Sequence, residues 1–181
     1  MVESATPRGE VAALVAVQSA LADRPGALGA ARGLSHFGEH SLGWLVVALL
    51  GAVLSPSRRR EWLVAGAGAF VAHAAAVLVK RVVRRKRPHH PSVAVNVGTP
   101  SQLSFPSAHA TSTTAAAILM SRATGLPRGI FAVLLIPPMA LSRILLGVHY
   151  PSDVAFGIAL GAAVAGVADR GDKRCRKRCA E

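Results

Sequence analysis

Residues 62–83 read WLVAGAGAFVAHAAAVLVKRVV. From Trp62 to Val79 no Asp, Glu, Lys or Arg interrupts the run. Its Ala and Leu content, with no period-two alternation, predicts a helix rather than a strand. At about 20 apolar residues it is long enough to cross a bilayer. Around this segment, B, lie four more apolar stretches: A (about 37–54), C (107–120), D (130–148) and E (154–168). D is also long enough to span; A, C and E are shorter and rich in Ala and Gly. The expected fold is all-α, a polytopic transmembrane helix bundle of about five spans. Two earlier pieces, one around Val11–Val17 and a Gly/Ala-rich one over 26–36, are separated by Arg24-Pro25. Both are too short to cross and are expected to lie at the interface. Ala20-Leu21-Ala22 mimics a cleavage site, but Arg8 is outweighed by Glu3 and Glu10, so no cleaved leader is expected. The organisation predicted is one domain over 1–169 and a basic tail over 170–181.

Composition agrees with that reading. Of 181 residues, 51% are hydrophobic and 17% charged, with a mean hydropathy of +0.40. So much apolar content excludes disorder and is high for a soluble domain. The net charge of +12 points to anionic partners, membrane lipids among them. A nucleic-acid binder would not place its charge beside apolar spans. With 4% aromatic residues, a stacking platform for single strands is not expected. Cys175 and Cys179 lie in the basic tail at a spacing that fits neither a zinc knuckle nor a redox pair. They are expected to be free thiols. No oligomeric state is legible.

If the helices alternate in direction, the A–B loop, the C–D loop and the tail share one membrane face. The 84–106 loop and the D–E turn share the other, and polar residues gather there. Lys80 and Arg87, seven residues apart, would point the same way if helix B continued about two turns. Pro88 would end it. In Ser104-Phe105-Pro106-Ser107-Ala108-His109, Ser104 is expected to cap helix C and Pro106 to suit its first turn. Ser107 and His109 would then sit at an anion-binding helix start. Arg143, His149 and Asp153 close the set around the D–E corner. Pro137-Pro138 is expected to kink D and aim Arg143. Converging cations, a hydroxyl, two imidazoles and one carboxylate fit phosphoryl transfer: the cations neutralise phosphate oxygens, one His attacks phosphorus and another protonates the leaving oxygen.

Lys80-x6-Arg87-Pro88, Pro106-Ser107-x-His109 and Ser142-Arg143-x5-His149-x3-Asp153 resemble the three-part signature of the type-2 phosphatidic acid phosphatase superfamily. Ala108 stands where the middle motif usually has Gly; a helical dihedral there accepts Ala. The resemblance implies His149 as nucleophile forming a phosphohistidine, Asp153 orienting it, and His109 as general acid. Lys80, Arg87, Ser107 and Arg143 would hold the phosphate. No cofactor or metal is implied, and a single nearby carboxylate is too few for magnesium. Residues 33–40, 87–91 and 105–114 further resemble a bacterial branch of the superfamily. That branch removes the 5-phosphate of decaprenylphosphoryl-5-phosphoribose during synthesis of the lipid-linked arabinose donor for cell-wall arabinan.

Other readings compete with this one. A general polyprenyl (di)phosphate, phosphatidic acid or phosphatidylglycerophosphate phosphatase would use the same pocket. So would a vanadate haloperoxidase, although B and D disfavour it. A non-catalytic lipid-headgroup binder would need only the cations. His89, His90, Glu39 and His40 are candidates for contact with the substrate headgroup. For His89 and His90 the plainer reading is a solvated loop, and for His36, Glu39 and His40 it is interfacial anchoring. Their spacing is not the His-Glu-x-x-His of a zinc site. His73 shares the helix face of Lys80 and is either structural or functional. Of the 21 Lys and Arg, the loop-and-tail face holds 11 and the site face 10, or 7 without Lys80, Arg87 and Arg143. The active site is therefore expected on the non-cytoplasmic side of a bacterial plasma membrane.

Overall fold

The computed structural model describes residues 6–127 and 129–179. Arg128 of the C–D loop and the last two tail residues lie outside the described residues. The helices, in chain order, are α1 (Gly9–Leu21), α2 (Ala27–Gly38), α3 (Leu42–Leu54), α4 (Arg59–Val83), α5 (Ala108–Thr124), α6 (Ile130–Leu145) and α7 (Pro151–Arg178). Among the described residues there is no named strand, only one isolated bridge between Lys86 and Leu103.

α5 is the central post, packed against α4, α6 and α7 and buried along nearly its whole length. Its composition explains both facts. Apart from His109, it is Ala, Ser and Thr up to Ala117, and such small side chains let neighbouring helices come close. Their hydroxyls are satisfied mostly within the helix: Thr111 Oγ1 donates to the Ser107 carbonyl at 2.8 Å and Ser121 Oγ to that of Ala117 at 2.9 Å. Segment C is short for a span because it faces protein rather than lipid. Large apolar side chains point outward instead, among them Leu54, Leu78 and Val82 on α3 and α4.

Among the described residues, three segments are long and apolar enough to cross a membrane: Ala27–Leu54, Pro56–Val83 and Pro151–Arg178. The first joins two pieces that the sequence reading kept apart. The 26–36 piece, expected to lie at the interface, stacks end to end on segment A through a tight turn at Glu39–Ser41. Segment D is shorter than expected. α6 passes through Pro137 and Pro138 as one helix and stops at Leu145, two residues before Gly147, which takes a left-handed φ of 71°. α7 runs ten residues beyond segment E. Ion pairs hold that extension to the rest of the bundle: Arg60–Asp172 at 2.7 Å, Arg122–Asp169 at 2.6 Å, Arg122–Asp172 at 2.9 Å and Arg176–Glu61 at 2.9 Å. The start of α4, the end of α5 and the tail thus meet at one end of the bundle, as alternating helices require. Cys175 and Cys179 are free and exposed there.

Gly157 and Gly161 on α7 face α5 within the same chain. A Cβ on Gly157 would stand 2.7 Å from the Ser107 carbonyl oxygen, and one on Gly161 would collide with the Thr111 carbonyl. Backbone cannot yield as a side-chain tip can. Gly161→Leu is expected to destabilise the fold by about 1–3 kcal/mol, read as a lower thermal midpoint in detergent. Gly166→Leu, where a Cβ meets nothing within 4 Å, is the matched control.

Candidate active site

The site sits at the opposite end, where the 84–107 segment crosses the helix ends. α4 does not continue to Arg87. It stops at Val83, and Arg84 turns left-handed with φ 55°. Arg87 returns to the site through the loop, donating to the carbonyls of Ser101 at 2.8 Å and Val148 at 2.7 Å. The cap also differs from expectation. Ser107, not Ser104, is the N-cap of α5, its Oγ accepting from the Ala110 N–H at 3.4 Å. Ser104 Oγ instead donates to the Lys86 carbonyl at 3.0 Å, pinning the loop.

Lys80, Arg87, His109, Arg143 and His149 line one cavity of about 360 Å³. Its cations are held by neutral acceptors. Lys80 Nζ donates to the Ser104 carbonyl at 2.7 Å. Arg143 donates to the hydroxyls of Ser35 and Ser142, each at 3.1 Å. Their charge is therefore left uncompensated, ready for an anion. Burial lowers the Arg87 guanidinium to about 10, still cationic at neutral pH.

His149 is 3% exposed. Arg87 Nη1 lies 3.3 Å from its Nε2. A guanidinium can only donate, so Nε2 holds a lone pair and Nδ1 the ring proton. Nδ1 faces Asp153 Oδ2 at 3.6 Å, close for an ion pair but long for a hydrogen bond. Burial, reinforced by Arg87 and Lys80 and only partly opposed by Asp153, pushes the ring down to about 3. The imidazole is thus neutral at neutral pH. His109 Nε2 lies 2.9 Å from the Ser35 carbonyl, an acceptor, so that nitrogen carries a proton at the cavity wall.

Ser107 and Asp153 stand behind the cavity, both fully buried. Glu39 and His40 line it, together with Ser35, His36 and His73. His89 and His90 do not. His89 is exposed, and His90 Nδ1 accepts from the Ser92 N–H at 3.1 Å. Among the described residues no three His, Cys, Asp or Glu side chains gather as a metal site requires.

A match to the PAP2 superfamily spans residues 61–175. The chain belongs to the PAP2 superfamily. Two curated relatives are named decaprenylphosphoryl-5-phosphoribose phosphatase. The one from Mycobacterium tuberculosis is 74% identical over 175 residues, covering 95% of this chain and 97% of the relative. That from Mycolicibacterium smegmatis is 68% identical over 154 residues, covering 85% and 84%. A transmembrane PAP2-type phosphatidylglycerolphosphate phosphatase from Bacillus subtilis shares the fold. Its TM-score is 0.68 at 22% identity, over 90% of this chain and 86% of that one. The helices are thus those of a PAP2 membrane protein, and PAP2 chemistry makes the chain a phosphoric monoester hydrolase.

Two residues at this PAP2 site escaped the sequence reading. Arg85 donates to Asp153 Oδ1 at 2.9 Å, to Ser152 Oγ at 2.6 Å and to Glu10 Oε2 at 2.6 Å. Its guanidinium also lies over the Tyr150 ring, 4.1 Å from the centroid. Glu10 Oε1 in turn accepts from the Ser152 N–H at 2.8 Å. Burial opposes ionisation of Glu10, but these hydrogen bonds from Ser152 and Arg85 outweigh it and hold the carboxyl below its usual range. α1 is thereby fastened to the corner that carries His149 and Asp153. Arg85→Ala is expected to lower kcat about ten- to a hundredfold, the loss of one charged hydrogen bond, with KM little changed. Steady-state kinetics check this; a raised KM at full kcat would contradict it.

Proposed function

We propose that this chain is a multi-pass membrane phosphatase that removes the 5-phosphate of decaprenylphosphoryl-5-phosphoribose, a step toward the lipid-linked precursor of cell-wall arabinan. The reading is carried by near-full-length similarity to relatives named for that substrate, joined to a cation-lined cavity that holds a neutral imidazole. Residues 1–169 act as one catalytic domain, and the basic tail from 170 continues α7 at the far end, tied to the bundle through Asp172 and Arg176. The excess of Lys and Arg at that far end supports a site on the non-cytoplasmic face.

In the proposed reaction Lys80, Arg87 and Arg143 take the three non-bridging phosphate oxygens. Arg87 shifts its N–H from His149 Nε2 to an oxygen, which frees the lone pair. Nε2 attacks phosphorus, the new N–P bond forming as the bond to the sugar O5 breaks. Asp153 stabilises the positive charge that develops on the ring. His109, protonated under the influence of the phosphate's negative charge, gives its proton to O5, and the sugar leaves as an alcohol. Water then attacks the phosphohistidine and passes a proton to His109, releasing phosphate and restoring His149. Ser107 positions this machinery from the α5 N-cap.

Purified protein is expected to prefer decaprenylphosphoryl-5-phosphoribose over phosphatidic acid and undecaprenyl diphosphate in kcat/KM for phosphate release. Comparable values for all three would leave a general lipid phosphatase. Activity is expected to survive EDTA. Loss on chelation, restored by magnesium or zinc, would contradict a mechanism that draws only on side chains.

A further inference from the structure

The cavity does not end at the phosphate-binding cations. On α4, His73 lies seven residues before Lys80, and both line it. That separation is about 10.5 Å along the helix axis, and Val77 between them lines the same cavity. His73 Nδ1 is shut off from solvent and has no hydrogen-bond partner. A buried polar atom left unpaired calls for a partner, and here it belongs to a residue of the cavity wall.

A strained turn builds the facing side. His40 and Ser41 both adopt left-handed backbone, with φ of 49° and 62°, in a region that residues with a Cβ seldom occupy. Ser41 is fully buried, its Oγ donating to the Ala69 carbonyl of α4 at 3.4 Å. The bend between α2 and α3 is thus anchored to the helix that carries His73. Its consequence is that the His40 ring comes to 5.9 Å from the His73 ring, centroid to centroid. Glu39, in the same turn, also lines the cavity, and its carboxylate stands 3.9 Å from His36 Nδ1.

Charge separates the two ends. The cations of the lining are Lys80, Arg81, Arg87 and Arg143, of which Arg87 stands against His149. The His73 end carries imidazoles and a carboxylate. A carboxylate repels a second phosphate but accepts hydrogen bonds from hydroxyls, and imidazoles can both donate and accept. We infer that Glu39, His40 and His73 form a sugar-hydroxyl subsite, which takes the ring hydroxyls of a pentose whose phosphate occupies the cation-lined end. This rests on the phosphoribose reading above and assigns a function to His73 that the phosphatase chemistry leaves without one.

The test compares three substrates with one prenyl chain: the 5-phosphoribosyl lipid, its 2-deoxyribosyl analogue and the sugar-free prenyl monophosphate. Wild-type protein is expected to favour the ribosyl lipid over the deoxy analogue by about tenfold or more in kcat/KM, the effect of one buried partner left unpaired. His73→Ala and His73→Asn are expected to lose about tenfold more on the ribosyl lipid than on the prenyl monophosphate. Equal wild-type kcat/KM for ribosyl and deoxyribosyl lipids would overturn the subsite without any variant having to fold. Equal losses on all substrates in both variants would overturn it by making His73 structural. A wild-type protein that favours the prenyl monophosphate over both sugar lipids would instead remove the phosphoribose reading, and the subsite with it.

Discussion

The buried carboxylate of Asp153 is the constraint on which the rest of the site depends. With no solvent to hydrate it, its charge must be met from within. Arg85 donates to one oxygen and the Tyr150 N–H to the other, each at 2.9 Å, while His149 faces that second oxygen. The backbone of the same residue accepts from the Ser107 N–H at 2.9 Å, locking the start of α7 to the start of α5. Through Arg85 the grip reaches Glu10 and α1. One residue thus faces the His149 ring, secures the docking of the first helix and joins two central helices.

Close packing makes this convergence possible. Ala, Ser and Thr on α5 and glycines on α7 bring backbones near enough that Lys80, His109, Arg143 and His149, from separate elements, open onto one cavity. Lys80 and Arg143 are held by carbonyls and hydroxyls rather than by carboxylates. Their orientation is fixed without cancelling their charge, the condition for electrostatic stabilisation that needs no reorganisation during reaction.

Much of this is legible in the sequence because the chemistry demands particular residue types at fixed spacings. His149 and Asp153 lie four residues apart across the D–E corner, and Pro106 to His109 opens a helix, so local geometry suffices. Helix continuity does not join Lys80 to Arg87: it fails at Arg84, and the two meet through a loop whose course depends on Ser104. Segment 26–36 looked isolated because hydropathy does not register a helix that bends at Glu39–Ser41 and resumes. Arg85 was hidden within a basic run, 75 residues from Glu10, and nothing local marks such a pairing. The one available signal was Glu10 itself, an acid beside an apolar segment. His89 and His90 follow Arg87 in sequence, but Pro88 and the loop turn them from the cavity, so neighbourhood in the chain misled.

The central claim is that His149 carries the phosphoryl group. Alkaline denaturing quench of the wild-type protein during turnover of substrate with a labelled 5-phosphate, followed by peptide mapping at high pH, tests it most directly. The account predicts an acid-labile, base-stable phosphate on the peptide containing His149. It also predicts neither label nor turnover in a His149→Ala protein that keeps its thermal midpoint. Turnover near the wild-type rate in that folded variant, or label on another residue, would contradict it.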